Sequence, residues 1–186
     1  MVPLSVLWLP ILIAAVFVFF ASFLMHMVLS YHRTDYRRVP SEDAVMDALR
    51  PFNIAPGDYM LPCAGSPAAA RSPEFLAKHK KGPVLLMTAM RPGDMRMRGR
   101  LINWFLFCVV VGTFAAYLTG RALPPGAPYL EVFRFAATVA FLGYALAHWE
   151  GTIWYSRSGM TTLKQTIDGL IYGLLTGGVF GWLWPR

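Results

Sequence analysis

The sequence predicts an all-α membrane protein, with four transmembrane helices and a small α+β cytoplasmic loop domain between the first two. Hydrophobic residues make up 56% of the 186 residues and charged residues only 15%, whereas about a quarter of a soluble domain is charged. Charge is also segregated, because residues 1–31 contain no Asp, Glu, Lys or Arg, while residues 32–100 hold 12 of the 17 basic and 7 of the 10 acidic side chains. Apolar stretches that alternate with charged ones are typical of a chain that crosses a bilayer.

Four apolar segments are candidates to cross about 30 Å of hydrocarbon. The first lies within residues 1–31, and an aromatic and basic sequence from Tyr31 onward ends it. The other three lie within residues 101–186, at about 101–118, 132–148 and 167–184. The third reaches spanning length only if Arg134 extends its side chain to the interface. Trp182 and Trp184 close the fourth in the manner of an interfacial aromatic belt.

The orientation follows from the basic residues beside the spans. Residues 32–51 hold four Lys and Arg and residues 81–100 hold five, whereas the turn between spans two and three holds only Arg121. Because short cytoplasmic loops are enriched in Lys and Arg, the long loop is predicted to be cytoplasmic and both termini external. The predicted location is the inner (plasma) membrane of a bacterium.

The loop of residues 32–100 has the signals of a small folded unit. Ser41-Glu42-Asp43 predicts the start of a short helix, and Ser72-Pro73-Glu74 predicts a second one that ends at Gly82. Asp58 to Leu61 and Pro83 to Met90 predict two short strands. Two helices and two strands bury little surface by themselves, so we expect this unit to lean on the membrane or on a protein partner.

Small residues recur at helical spacing in the predicted spans. Span four has glycine every fourth residue, and span two has a matching stripe; these helix-packing candidates are Gly169, Gly173, Gly177, Gly181, Gly112, Ala116 and Gly120. Such stripes let helix backbones approach closely within lipid. Packing inside the bundle and an interface with another chain are both compatible with the pattern, and both interpretations predict that a helix fills the groove.

Four ionisable residues are predicted to share one depth at the cytoplasmic ends of the spans: His26, His148, Glu150 and Asp168. Ionisable groups at this depth are costly unless they pair or serve a function. They are candidates for a proton relay, a metal site or, through two histidines, a haem site. The alternative is that each lies at the headgroup level, with Lys164 pairing with Asp168 one turn away. None has the spacing of a dedicated ligand motif, so no cofactor is predicted and the identity of any metal stays open.

The basic residues favour lipid over nucleic acid as a partner, because they flank apolar segments. Arg91, Arg96, Arg98 and Arg100 precede span two and are candidates to contact anionic lipid. The sequence contains no Walker loop, Rossmann fingerprint, nucleophile elbow or His-Glu-x-x-His motif, so no enzyme activity is predicted.

Several stretches carry a resemblance to a known family. They are Pro3 to Pro10, His26 to Leu29 followed by Tyr31-His32-Arg33, Pro73-Glu74-Phe75, Trp104-Phe105, and the C-terminal runs Asp168 to Tyr172 and Gly181 to Pro185. Over nearly its whole length the chain resembles a widespread family of small, functionally uncharacterised bacterial four-span inner-membrane proteins. The resemblance implies four spans and a compact loop, and it implies no activity or site residues.

Two functional hypotheses follow. The first is a non-catalytic structural or accessory subunit that packs through its glycine-striped helices, in a homo-oligomer or in a larger membrane complex such as an energy-transducing one. The second is a small transport, proton-relay or metal- or haem-binding membrane protein that uses His26, His148, Glu150 and Asp168.

Overall fold

The computed structural model describes residues 1–93 and 97–186. The chain divides into two compact units, a helical bundle formed by Met1–Arg37 with Arg96–Arg186, and a loop unit formed by Arg38–Met95. In chain order the helices and strands are α1 (Trp8–Phe23), α2 (Glu42–Leu49), β1 (Gly57–Leu61), α3 (Pro73–Lys81), β2 (Leu85–Ala89), α4 (Met97–Ala122), α5 (Tyr129–Phe141), α6 (His148–Tyr155) and α7 (Gly159–Trp182). Wide π-helical turns extend α1 over Leu24–Val28 and α5 over Leu142–Leu146.

Three helical segments of the bundle are long and apolar enough to cross a membrane: Trp8–Val28, Met97–Ala122 and Tyr129–Tyr155. They coincide with the first three predicted spans. The third is longer than predicted, because the wide turn at Leu142–Leu146 continues the helix into α6. Helix α7 covers the fourth predicted span, but among the described residues it is not one of the segments that meet both the length and the hydropathy expected of a span.

The glycines of α7 pack against α5 and the turn that follows it. A Cβ atom at Gly169 would lie 2.7 Å from the Cβ of Ala145, and one at Gly177 would lie 2.7 Å from the Cβ of Ala137. At Gly181 the nearest atoms belong to the ring of Tyr129, again at 2.7 Å. These distances leave no room for a side chain. The glycine stripe therefore packs against helices of the same chain, and it allows the two helix backbones to approach each other closely.

The small residues of α4 face a different neighbour, the N-terminal segment. A Cβ at Gly112 would meet Ile11, and one at Gly120 would lie 2.5 Å from the carbonyl oxygen of Val2. Ala116 is fully buried in the same core. The small residues of α4 thus pack against α1 and the residues that precede it.

Three hydrogen bonds bring both termini to the same end of the bundle. The Val2 amide donates to the Gly120 carbonyl at 2.7 Å, so the N-terminus lies beside the end of α4. The Gly126 amide donates to the Pro185 carbonyl at 2.8 Å, and the Trp184 indole donates to the Pro124 carbonyl at 3.0 Å. The C-terminus therefore lies against the turn between α4 and α5. The end of α1 and the start of α7 lie at the opposite end of the bundle.

The loop unit contains the two helices and two strands that its sequence predicts. Strands β1 and β2 pair antiparallel, in a register that runs from Gly57 opposite Ala89 to Leu61 opposite Leu85. The Ser72 hydroxyl caps α3 by accepting from the Phe75 amide at 3.1 Å. Ser41 differs from the prediction, because its backbone is left-handed (φ 52°) and its side chain does not cap α2. None of the described residues 38–93 is buried.

Candidate functional site

Five side chains converge where the end of α1 meets the start of α7. His26 lies in the wide turn Leu24–Val28, and His32 lies in the short helical turn Tyr31–Thr34. Asp35 directly follows that turn, while Lys164 and Asp168 lie one turn apart on α7. We call these five residues, His26, His32, Asp35, Lys164 and Asp168, the polar cluster.

Local backbone geometry explains why the residues of the cluster meet. The wide turn closes with the Leu29 amide donating to the Leu24 carbonyl at 2.9 Å, and the chain then becomes extended at Leu29. This break ends α1 and lets the chain fold back, so that His32 returns toward His26. Wide turns of this kind are frequent at functional sites in helices. On α7, Gly169 permits close contact with Ala145, and the neighbouring Asp168 is buried.

Both imidazole rings face the Asp168 carboxylate. The Nε2 atom of His32 lies 2.8 Å from Asp168 Oδ2, and the Nε2 atom of His26 lies 3.8 Å from the same oxygen. The two rings stack, with their centroids 4.1 Å apart and their planes at 10°. Although His32 Nε2 is close to the carboxylate, the two atoms do not have the geometry of a hydrogen bond, and among the described residues this nitrogen has no hydrogen-bond partner.

The opposite nitrogen of each ring is held by an acceptor. His26 Nδ1 lies 3.0 Å from the Ser22 carbonyl oxygen, and His32 Nδ1 lies 2.6 Å from Asp35 Oδ2. A carbonyl oxygen can only accept a hydrogen bond, so we assign the hydrogen of His26 to Nδ1. The carboxylate of Asp35 makes the same assignment for His32. When both rings are neutral, each Nε2 atom therefore carries a lone pair that is directed toward Asp168.

Lys164 binds the oxygen of Asp35 that His32 does not contact. Its ammonium group donates to Asp35 Oδ1 at 2.9 Å, to Thr34 Oγ1 at 2.9 Å and to the Tyr31 carbonyl oxygen. Burial by itself raises the pKa of Asp35, but the hydrogen bonds and charges of His32 and Lys164 outweigh it and bring the pKa below its usual value. Asp35 is therefore a charged carboxylate, fixed in position between an imidazole and an ammonium group.

The cluster is buried on one side and open on the other. The exposed fraction of the side chain is 4% for Asp168 and 9% for His32, but 47% for His26. Two carboxylates, those of Asp35 and Asp168, lie in the cluster with one ammonium group, that of Lys164, which contacts Asp35. Asp168 Oδ1 has no hydrogen-bond partner among the described residues. A buried polar atom without a hydrogen-bond partner is unfavourable, so this arrangement favours the binding of a cation.

The structure brings together two of the four ionisable residues that the sequence nominates. His26 and Asp168 meet in the cluster, whereas His148 and Glu150 lie at the start of α6, where both are exposed. Lys164 pairs with Asp35 and not, as the sequence suggested, with Asp168. His32 and Asp35 were not among the site residues predicted from the sequence. The only feature that could have indicated them is their spacing, because an acidic residue three positions after a histidine can bind its ring.

The geometry also limits what the two histidines can hold. Two axial imidazoles of one haem approach the iron from opposite faces of the porphyrin, so they cannot stack on each other as His26 and His32 do. A single ion is different, because His26, His32 and Asp168 each offer one ligand atom, and these atoms all lie within 4.8 Å of one another. The three ligand atoms are thus close enough to share a single metal ion after the rings separate, whereas His26 and His32 are not placed to bind one haem from opposite faces.

Of the arginines nominated for lipid contact, Arg91, Arg98 and Arg100 are exposed, and Arg96 lies outside the described residues. No family model matches the chain, and comparison with curated proteins and with solved structures finds no significant match either. The family resemblance drawn from the sequence therefore stays a prediction, and the functional argument rests on the polar cluster and the bundle around it.

Proposed function

We propose that this chain is a four-span membrane protein that binds a cation in the polar cluster at the cytoplasmic end of its bundle, as small transport or cation-handling proteins do. The observation that carries the proposal is the convergence of two imidazole Nε2 atoms on the buried carboxylate of Asp168. With the hydrogens assigned to Nδ1, each of these nitrogens presents a lone pair to the carboxylate. Lone pairs and a carboxylate repel one another unless a positive charge lies among them. The only ammonium group of the cluster, on Lys164, is directed to Asp35 instead.

The fourth span of this proposal is α7. Its 24 residues correspond to about 36 Å of helix, which is enough to cross the hydrocarbon core. Its low hydropathy has a structural reason, because Asp168 is buried in the bundle and the glycines face α5, so that neither meets lipid. The proposed orientation places the polar cluster and the loop unit on the cytoplasmic side, and both termini with the turn between α4 and α5 outside.

Reporter fusions test this topology. A fusion after Pro62 is expected to report a cytoplasmic location, and fusions after Pro125 and after Arg186 are expected to report an external one. In the proposed topology one crossing separates Pro62 from Pro125, and two more separate Pro125 from Arg186. A cytoplasmic signal at Arg186 together with an external signal at Pro125 would show that either the third span or α7 does not cross. An external signal at Pro62 would contradict the proposed orientation.

Cation binding is tested by thermal stability in detergent. A cation at 100 times its dissociation constant stabilises the folded state by about 2.7 kcal/mol, which raises the melting temperature of a chain of this size by roughly 5–10 °C. The purified chain is screened against Na⁺, Mg²⁺, Ca²⁺, Mn²⁺, Co²⁺ and Zn²⁺ after treatment with a chelator. We expect at least one of them to stabilise the wild type and not Asp168→Asn. Indifference of the wild type to every cation would overturn the proposal.

An accessory subunit is the second candidate function, and one observation favours it. The loop unit folds into two helices and a two-stranded antiparallel sheet, yet none of its described residues is buried, so it has no core of its own. The exposed apolar side chains of this unit include Phe52, Met60 and Leu86. The glycine stripe no longer supports this function, because α5 fills it within the chain. The same purified sample distinguishes the candidates, since an accessory subunit retains a second chain in stoichiometric amount.

A further inference from the structure

The choice of ligand atoms in the polar cluster identifies the class of cation. We propose that His26 Nε2, His32 Nε2 and one oxygen of Asp168 bind a single divalent transition-metal ion, of the kind represented by Zn²⁺, Fe²⁺ and Co²⁺. This inference rests on the proposed cation-binding function and makes it specific. Two imidazoles and one carboxylate suit these borderline ions, whereas Ca²⁺ and Mg²⁺ prefer sites made of oxygen and Cu⁺ prefers thiolate or thioether ligands.

The distances fit such an ion after a small movement. In a tetrahedral site with bonds of about 2.0–2.1 Å, neighbouring ligand atoms lie about 3.3 Å apart. The two distances to Asp168 Oδ2, 2.8 Å from His32 and 3.8 Å from His26, lie on either side of that value. The stacked rings must separate for both lone pairs to reach one ion. His26 can make this adjustment because almost half of its side chain is exposed, whereas His32 is fixed by its neighbours.

The groups behind the ligands supply a second, independent argument. A histidine that binds a metal usually donates its other N–H to a carboxylate or a backbone carbonyl, which fixes the tautomer and the ring orientation. Both forms occur here, since His32 Nδ1 donates to Asp35 and His26 Nδ1 donates to the Ser22 carbonyl. Lys164 in turn holds Asp35 in place. Asp35 is therefore a positioning residue for the site, and it does not itself reach the ion.

Three protein ligands leave at least one position open on the ion. Structural zinc sites are closed by four protein ligands, whereas sites that exchange ligands or act on a substrate keep a position for water or for another molecule. The exposed side of the cluster is that of His26, so this is the face through which an ion and its additional ligand would reach the site. The site is thus suited to an exchangeable ion and not to one that only stabilises the fold.

The test uses the full chain in detergent, purified without a polyhistidine tag, stripped with a chelator and titrated with Co²⁺ and Zn²⁺. We expect one ion per chain by calorimetry, with visible absorption of Co²⁺ in a low-symmetry site. His26→Gln and Asp168→Asn should each weaken binding at least 100-fold, and Asp35→Asn should weaken it about 10- to 100-fold. His148→Gln is the matched control, because it removes an exposed histidine that the sequence places at the same depth, and it should leave affinity and spectrum unchanged.

Several outcomes would overturn the assignment. They are the absence of saturable Co²⁺ and Zn²⁺ binding, an affinity in His26→Gln equal to that of the wild type, and an equal loss in His148→Gln. Because His26 is half exposed, its variant is expected to fold even if Asp168→Asn does not, and the melting curve of each variant verifies this. If Na⁺, Mg²⁺ or a proton alone stabilises the wild type in an Asp168-dependent manner, the transition-metal assignment falls while the proposed cation site stands. Indifference to every cation would remove both.

Discussion

Gly177→Leu is expected to lower the free energy of unfolding in detergent by about 3 kcal/mol or more, because no space exists for a side chain at this position. Even the first carbon of a side chain would lie 2.7 Å from the Ala137 Cβ and 2.8 Å from the Phe133 carbonyl oxygen. The second of these contacts is with backbone, which cannot turn away as a flexible side chain can. Leucine would therefore push α5 from α7 and loosen their contact along its whole length.

A neighbouring glycine provides the control. A Cβ at Gly178 would meet only the Tyr129 hydroxyl, at an ordinary contact distance of 3.7 Å. Alanine is favoured over glycine in a helix by about 1 kcal/mol, so Gly178→Ala should be neutral or stabilising. Gly177→Ala brings the same gain in helix propensity but should still destabilise by about 1–3 kcal/mol, because it overpacks the interface. Equal melting temperatures for the two alanine variants would show that α5 and α7 are not in close contact at Gly177.

The elements of the chain that depend on local signals were predictable from the sequence. Helix α3 begins at the Ser72-Pro73 signal and ends before Gly82, because capping and proline preference act within one turn. The first two spans follow from runs of apolar residues in the same way. Ser41 is the exception, since the backbone there is left-handed and the expected cap is not formed.

The polar cluster was only half predictable, because the depth of a residue in a bundle does not fix the direction of its side chain. His26 and His148 were placed at the same depth by counting residues from the span ends, yet His148 lies exposed on α6. The direction of the His148 side chain depends on the wide turn Leu142–Leu146, because an extra residue in that turn rotates the residues that follow it around the helix axis. No local residue pattern predicted this turn. His32 was assigned to the basic sequence that ends the first span. Its place beside Asp168 arises only when the chain folds back after α1.

Helix α7, the proposed fourth span, shows how the contacts inside a bundle can lower the hydropathy of a helix. The residues that lower its hydropathy are those that the bundle uses, namely Asp168 in the polar cluster and the glycines against α5. Hydropathy measures the average preference of a segment for lipid, whereas a helix with neighbours on several sides needs lipid-compatible residues only where it is exposed. Leu170 and Leu174 are exposed on α7 and would supply that surface in the proposed topology.

Lys164→Met is expected to be the most destabilising change in the polar cluster. The exposed fraction of its side chain is 14% and that of Asp35 is 12%, so the pair is largely removed from water. Loss of one partner from a buried ion pair costs about 3–5 kcal/mol, because the remaining charge stays buried without compensation. Among the described residues, the Asp35 carboxylate would keep only His32 as an ion-pair partner. We expect the melting temperature in detergent to fall by on the order of 10 °C.

A double-mutant cycle distinguishes loss of the charge pair from loss of the lysine side chain itself. Asp35→Asn keeps an oxygen for His32 and leaves Lys164 two further acceptors, so it should be milder than Lys164→Met. In the double variant the carboxylate at position 35 is gone together with the ammonium group, so its destabilisation should fall short of the sum of the single changes by at least about 1 kcal/mol. Lys78→Met is the matched control, because Lys78 pairs with Glu74 on the exposed face of α3. Exposed pairs contribute little, so its melting curve should match that of the wild type. Strict additivity of the two cluster variants would show that Lys164 and Asp35 do not stabilise each other, and the positioning of His32 would then need another cause.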